Sequence, residues 1–158
     1  MNRLMTAGAL AILAFCGGSR ASAQDPGDED IKLFRKDLRS LRKQIIAANM
    51  DLSDKEAEQF WPLFDRYTQE LVAKQDGKSI LLKDYGQNYA TMSDGQAEDY
   101  VRGRAAIDEA VIQVRLRYFP LFRKILSGKS TALFFQLDWR LGLVMDLQLA
   151  SQTPLIEP

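Results

Sequence analysis

The chain has 158 residues, with 21 basic and 21 acidic side chains, no histidine and a single cysteine. So even a balance makes no global case for nucleic-acid binding, which wants a basic face. Without histidine, and with one cysteine, the chain lacks the usual zinc, copper and nickel ligands and every nucleophile–histidine arrangement.

The opening "MNRLMTAGALAILAFCGGSRASAQ" carries Arg3, an apolar run from Leu4 to Cys16, and then Ala21-Ser22-Ala23. This is the pattern of a secretory signal peptide cleaved after Ala23. The run falls short of the ~20 residues that a membrane span takes. An uncleaved anchor and a lipid on Cys16 are the alternatives; Phe15 is bulky where a lipoprotein signal wants a small residue. Cleavage would remove Arg3, Arg20 and Cys16, leaving 19 basic against 21 acidic residues and a formal charge of −2. About 135 residues then remain, the length of one domain. They have no cysteine and so no disulfide, although an exported protein could form one. "QDPGDED", residues 24–30, reads as a flexible acidic leader. A single domain is expected over 31–150 and a short tail over 151–158.

From Ile31 the pattern turns helical. Ile31, Phe34, Leu38, Leu41 and Ile45 recur at spacings of three and four, a heptad-like seam. Between Lys32 and Lys43 stand six basic residues and one acid, Asp37, so this helix is amphipathic and locally basic. A second helix begins at Ser53, with Ala57, Phe60, Phe64, Tyr67 and Leu71 on its inner face. Gly77 marks a bend or break in it, the pattern resumes through Leu81 and Tyr85, and "GQNYATMSD" reads as a connection.

The third helix runs from about Ser93 to Leu126. Its seam is Ala97, Tyr100, Arg104, Ile107, Val111, Val114, Tyr118, Leu121 and Ile125, interrupted only by Arg104. A second stripe, Ile112, Leu116, Phe119 and Leu126, predicts that the C-terminal half is packed on two sides. "SGKS" at 127–130 is a turn. It lacks the leading glycine and the preceding strand of a phosphate loop. The segment from Thr131 to Gln152 carries both an alternating and a helical pattern. Helix is preferred because nothing else in the chain offers a strand partner, and Asp138, Arg140 and Asp146 speak against a membrane span. The fold class is therefore all-α: four helices, a long antiparallel helical hairpin with flanking helices.

One phrase occurs twice, "SDKEAE" from Ser53 and "SDGQAE" from Ser93. Each is a capping box, with Ser53 and Ser93 as N-caps and Glu56 and Gln96 reaching back from the third helical position. A second echo, "FWPLF" and "YFPLF", places Pro62 and Pro120 inside helices, where proline removes a hydrogen bond and kinks the axis. The alternative is that each proline ends one helix and starts another.

With these boxes in an exported helical chain, the sequence resembles the Spy/CpxP-like family of periplasmic proteins and its doubled Leu-Thr-x-x-Gln motif. The motif stands here as Leu52-Ser53-Asp54-Lys55-Glu56 and Met92-Ser93-Asp94-Gly95-Gln96, with serine for threonine in both. The likeness extends over most of Leu38 to Ile156. It implies a helical hairpin that dimerises into a curved cradle. It also implies ATP-independent binding of unfolded or partly folded periplasmic proteins, or of a stress-sensor domain.

The surface expected to bind a partner combines Arg35, Arg39, Arg42 and Lys43 with Trp61 and Phe64. Apolar patches capture unfolded segments and positive charge steers acidic ones. A metal-responsive sensor is the alternative, but "DPGDED" lacks a spaced calcium loop. No set of residues with complementary catalytic roles emerges, so no enzyme, cofactor or catalytic residue is expected. Ser53→Ala and Ser93→Ala should each lower stability by about 1 kcal/mol, read from the midpoint of urea unfolding.

Overall fold

The computed structural model describes residues 40–151 and 153–156. The expected signal peptide, the expected acidic leader and residues 31–39 lie outside the described residues. Helix α1 occupies residues 40–49. It is followed by α2, Asp54–Asn88, a 3-10 turn at Tyr89–Thr91, α3, Asp94–Ile125, and α4, Gly128–Ser151. No strand occurs among the described residues. The fold is all-α, as the periodicity predicts.

The helix starts follow from local chemistry. The Ser53 backbone N–H donates to Glu56 Oε2 at 3.0 Å while the Glu56 N–H donates to Ser53 Oγ at 3.4 Å. Ser93 and Gln96 repeat this at 2.9 and 3.4 Å. The Glu56 carboxyl is held below its usual pKa, first by the Ser53 side chain and then by its backbone. At the turn before α4, Ser127 Oγ accepts from the Ser130 N–H at 3.1 Å. "SGKS" is thus mostly the start of a helix, since Ser127 is a third serine cap. Helix α2 also runs further than expected, through Gly77 and Gly86 to Asn88, which shortens the connection. Gly77 does not break it: a Cβ there would meet Ile107 at an ordinary 3.7 Å.

Helices α2 and α3 form the antiparallel hairpin. Phe60 stacks near Phe122 at 5.4 Å, Tyr67 near Tyr118 at 5.3 Å and Tyr85 on Tyr100 at 4.3 Å. Helix α4 returns parallel to α2. Phe134 lies 5.4 Å from Phe60 and 4.4 Å from Phe122, and the Tyr85 hydroxyl donates to the Pro154 carbonyl at 2.9 Å. The aromatic echo now has a structural meaning: Phe60, Phe64, Tyr118 and Phe122 are all buried and build one layer of the core. Each fully buried side chain of this size contributes about 1.5–3 kcal/mol. Pro62 and Pro120 stand on the exposed side of the same turns. Both helices continue through them, so neither proline separates two helices.

The four helices meet at Asp138, which is 1% exposed. Its Oδ1 accepts from Arg42 Nη1 of α1 at 3.1 Å. Its Oδ2 accepts from the Tyr67 hydroxyl of α2 at 2.8 Å and from Arg115 Nε of α3 at 2.9 Å. A buried carboxylate is tolerated only when its lone pairs are filled and its charge is matched, and here one donor arrives from each other helix. Gly142, a turn further along α4, makes room for Arg115: a Cβ there would lie 3.3 Å from Nη2.

A second polar layer sits lower in the bundle. The buried Lys78 of α2 donates to Asp108 of α3 at 2.7 Å and to Asp146 of α4 at 2.8 Å. Burial alone would raise the Asp108 carboxyl, but hydrogen bonds and charge from Lys78 and Arg104 outweigh it and hold the group below its usual pKa. Arg104, the interruption in the α3 seam, is therefore paired with Asp108 at 3.0 Å and does not occupy a dry seam position.

Asp138→Ala should cost about 3–5 kcal/mol, because it strands two guanidinium groups around a vacated anion; urea unfolding measures it. Tyr67 supplies a pH test. Burial first, then the charge and hydrogen bond of Asp138, raise its pKa well above the ordinary 10.0. A raised pKa means a contribution that is complete below pH 10 and lost as pH rises beyond it. Tyr67→Phe should lower stability at neutral pH and make its decline above pH 10 shallower than that of the parent chain.

Candidate functional site

The structure places the residues expected to bind a partner in three different settings. Arg35 and Arg39 lie outside the described residues. Arg42 and Phe64 are each 3% exposed and offer nothing to a partner. Arg42 is inside because Asp138 needs its charge, and Phe64 because it packs on Phe60 and Phe134. Lys43 and Trp61 do come together near the surface. The Lys43 ammonium sits 5.2 Å over the Trp61 ring and 3.1 Å from Asp65, so its charge is shared between an aromatic face and a carboxylate. Trp61 itself is half-buried, edge-on to Phe60 and Phe64. Ser53, Glu56, Ser93 and Gln96 are occupied in capping.

Glu70 of the hairpin is also engaged. Glu70 accepts from the Tyr118 hydroxyl and from Arg117, both at 2.6 Å. The Tyr118 bond foremost, and Arg117 after it, hold the Glu70 carboxyl low against the opposing effect of burial. Among the described residues, no three His, Cys, Asp or Glu side chains gather as a metal site requires. No helix there is long and apolar enough to cross a membrane.

What stands out instead is apolar surface. On α3, Val101, Ile112, Leu116 and Phe119 are about half exposed or more. The expectation that the stripe at 112, 116 and 119 is packed on a second side does not hold; of its four members only Leu126 is buried. The reason is where α4 lies. It contacts α3 through Arg115 and Phe122 and reaches the stripe at Phe119, leaving Ile112 and Leu116 exposed. On α4 itself, Leu133, Trp139, Leu143, Val144 and Leu147 are exposed, Leu143 to 67% and Leu147 to 72%. The two surfaces adjoin: Phe119 and Trp139 both touch the ring of Phe135, at 5.9 and 6.3 Å.

The charge around the α4 surface is one-sided. Lys129 and Arg140 are exposed. The acids of that helix are Asp138, buried under two arginines, and Asp146, drawn to Lys78. Large apolar side chains exposed in number along one helix are the mark of an interaction surface. A chain with Leu, Trp and Val on the wet side of a helix can hold other apolar chains by excluding water from both.

Comparison with known protein families, with characterised proteins and with solved structures finds no match for this chain.

Proposed function

We propose that this is a non-enzymatic, exported binding protein, chaperone-like and independent of ATP, that holds apolar segments of unfolded or partly folded proteins. The signal-like N-terminus and the resemblance to Spy/CpxP-like periplasmic proteins support export to the periplasm. The observation that carries the reading is the α4 surface, where five large apolar side chains are exposed along 24 residues. Lys129 near its start and Arg140 in its midst are exposed and favour segments that are neutral or acidic. The buried ionisable groups are matched in pairs and triads that tie helices together, which suits a rigid platform better than a reaction centre.

The test is aggregation of a chemically unfolded client, followed by light scattering without nucleotide. The chain at several-fold excess should suppress scattering. Leu143→Ser combined with Leu147→Ser should abolish most of the suppression while leaving the unfolding midpoint nearly unchanged, since both residues are exposed. No suppression by the parent chain, or equal suppression by the double variant, would remove the reading.

A further inference from the structure

We infer that the cleft between α3 and α4 at Arg115 binds a single-chain carboxylate amphiphile of the fatty-acid class, its carboxylate on Arg115 and its chain against Phe119 and Trp139. The ligand is a small molecule and not an unfolded segment, so this site and the proposed function can fail separately.

Charge carries the first part. Among the described residues, Arg42 and Arg115 both pair with Asp138, and Tyr67 adds a hydrogen bond without charge. The cluster is therefore one anion short. Arg42 and Asp138 are sealed off, with side chains 4% and 2% exposed, whereas Arg115 keeps 16%. Of its N–H groups only the one on Nε meets Asp138, at 2.9 Å. The Nη edge is left over, and a carboxylate accepts two parallel N–H groups from a guanidinium. A counter-ion at so covered a charge is worth more than one at an open surface. Asp108 and Asp146, further along the same two helices, do not supply it, because Lys78 holds them at 2.7 and 2.8 Å.

Position decides what carries the anion. Arg115 Nη2 lies against α4 at Gly142, where a Cβ would stand 3.3 Å away, so the free edge sits between the two helices. Ile112 and Phe119, a turn to either side of Arg115 on α3, and Trp139 and Leu143, beside Gly142 on α4, are all about half exposed or more. Phe119 and Trp139 converge on the buried ring of Phe135, at 5.9 and 6.3 Å. That ring floors the cleft on the side away from Asp108 and Asp146. These walls offer no partner to the N–H and C=O groups of a peptide, and an amide covered without one is costly. A hydrocarbon chain has no such group to satisfy, and each methylene it buries adds to binding.

Isothermal titration of the full chain with dodecanoate, kept below its micelle concentration, tests this. One molecule per chain should bind in the micromolar range. Dodecanol, without charge, and dodecyltrimethylammonium, with the opposite charge, should each bind about tenfold more weakly or worse. Arg115→Met should weaken dodecanoate about tenfold. It leaves Arg42 and Tyr67 on Asp138, one cation to one anion, so the bundle keeps its central tie, and far-UV circular dichroism checks that it does. Trp139→Glu, at an exposed position, is the second variant; it sets a like charge at the cleft and should weaken binding as much. Val101→Ser, ~21 Å away along α3, should change nothing. No binding of dodecanoate up to about 1 mM, dodecanol bound as well as dodecanoate, or unchanged binding by a folded Arg115→Met or by Trp139→Glu would overturn the site.

Discussion

The structure depends on one buried anion. Asp138 has three donors from three helices, and without it α1 would bring a guanidinium into the core with nothing to meet. Two arginines share this carboxylate, so the cluster carries an excess positive charge. Arg115, the more exposed of the two guanidinium groups, is the one that relieves it toward water. Such a cluster adds less to net stability than an apolar layer of equal volume would. What it adds is a tie between all four helices, with one donor to Asp138 from each of the other three.

The second layer, Lys78 with Asp108 and Asp146, applies the same logic eight residues further along α4. Between the two layers the helices cannot slide past one another by a turn without breaking both. The aromatic layer at the other side of Asp138, built from Phe60, Phe64, Phe122 and Phe134, supplies the burial. The polar layers supply the register. This division lets the outer faces of α3 and α4 remain apolar and open, because neither is needed to hold the bundle together.

Much of this was legible from residues near one another in sequence. The starts of α2 and α3 follow from serine and a Glu or Gln three positions later, which is a local signal. The helical state of α4 follows from the absence of any strand partner. What could not be read is which apolar stripes are covered. Ile112, Leu116 and Phe119 have the spacing of a core face, and period alone does not say whether another helix lies over it. Arg42 was misplaced for a related reason. It belongs to a basic run that looks solvated, and its counter-ion stands 96 residues away, beyond the reach of any pattern. Gly77 suggests a bend or break that α2 runs straight through, and the two prolines stand inside their helices as their apolar surroundings predict.

The same separation has a consequence for the order in which the chain can assemble. Arg42 is near the beginning of the chain and Asp138 near its end, so α1 cannot dock without leaving a charge stranded in the core until α4 is present. A nascent chain that has emerged only as far as the α2–α3 hairpin keeps its first helix undocked for electrostatic reasons. The aspartate that fastens the finished bundle also sets the moment at which it can be completed.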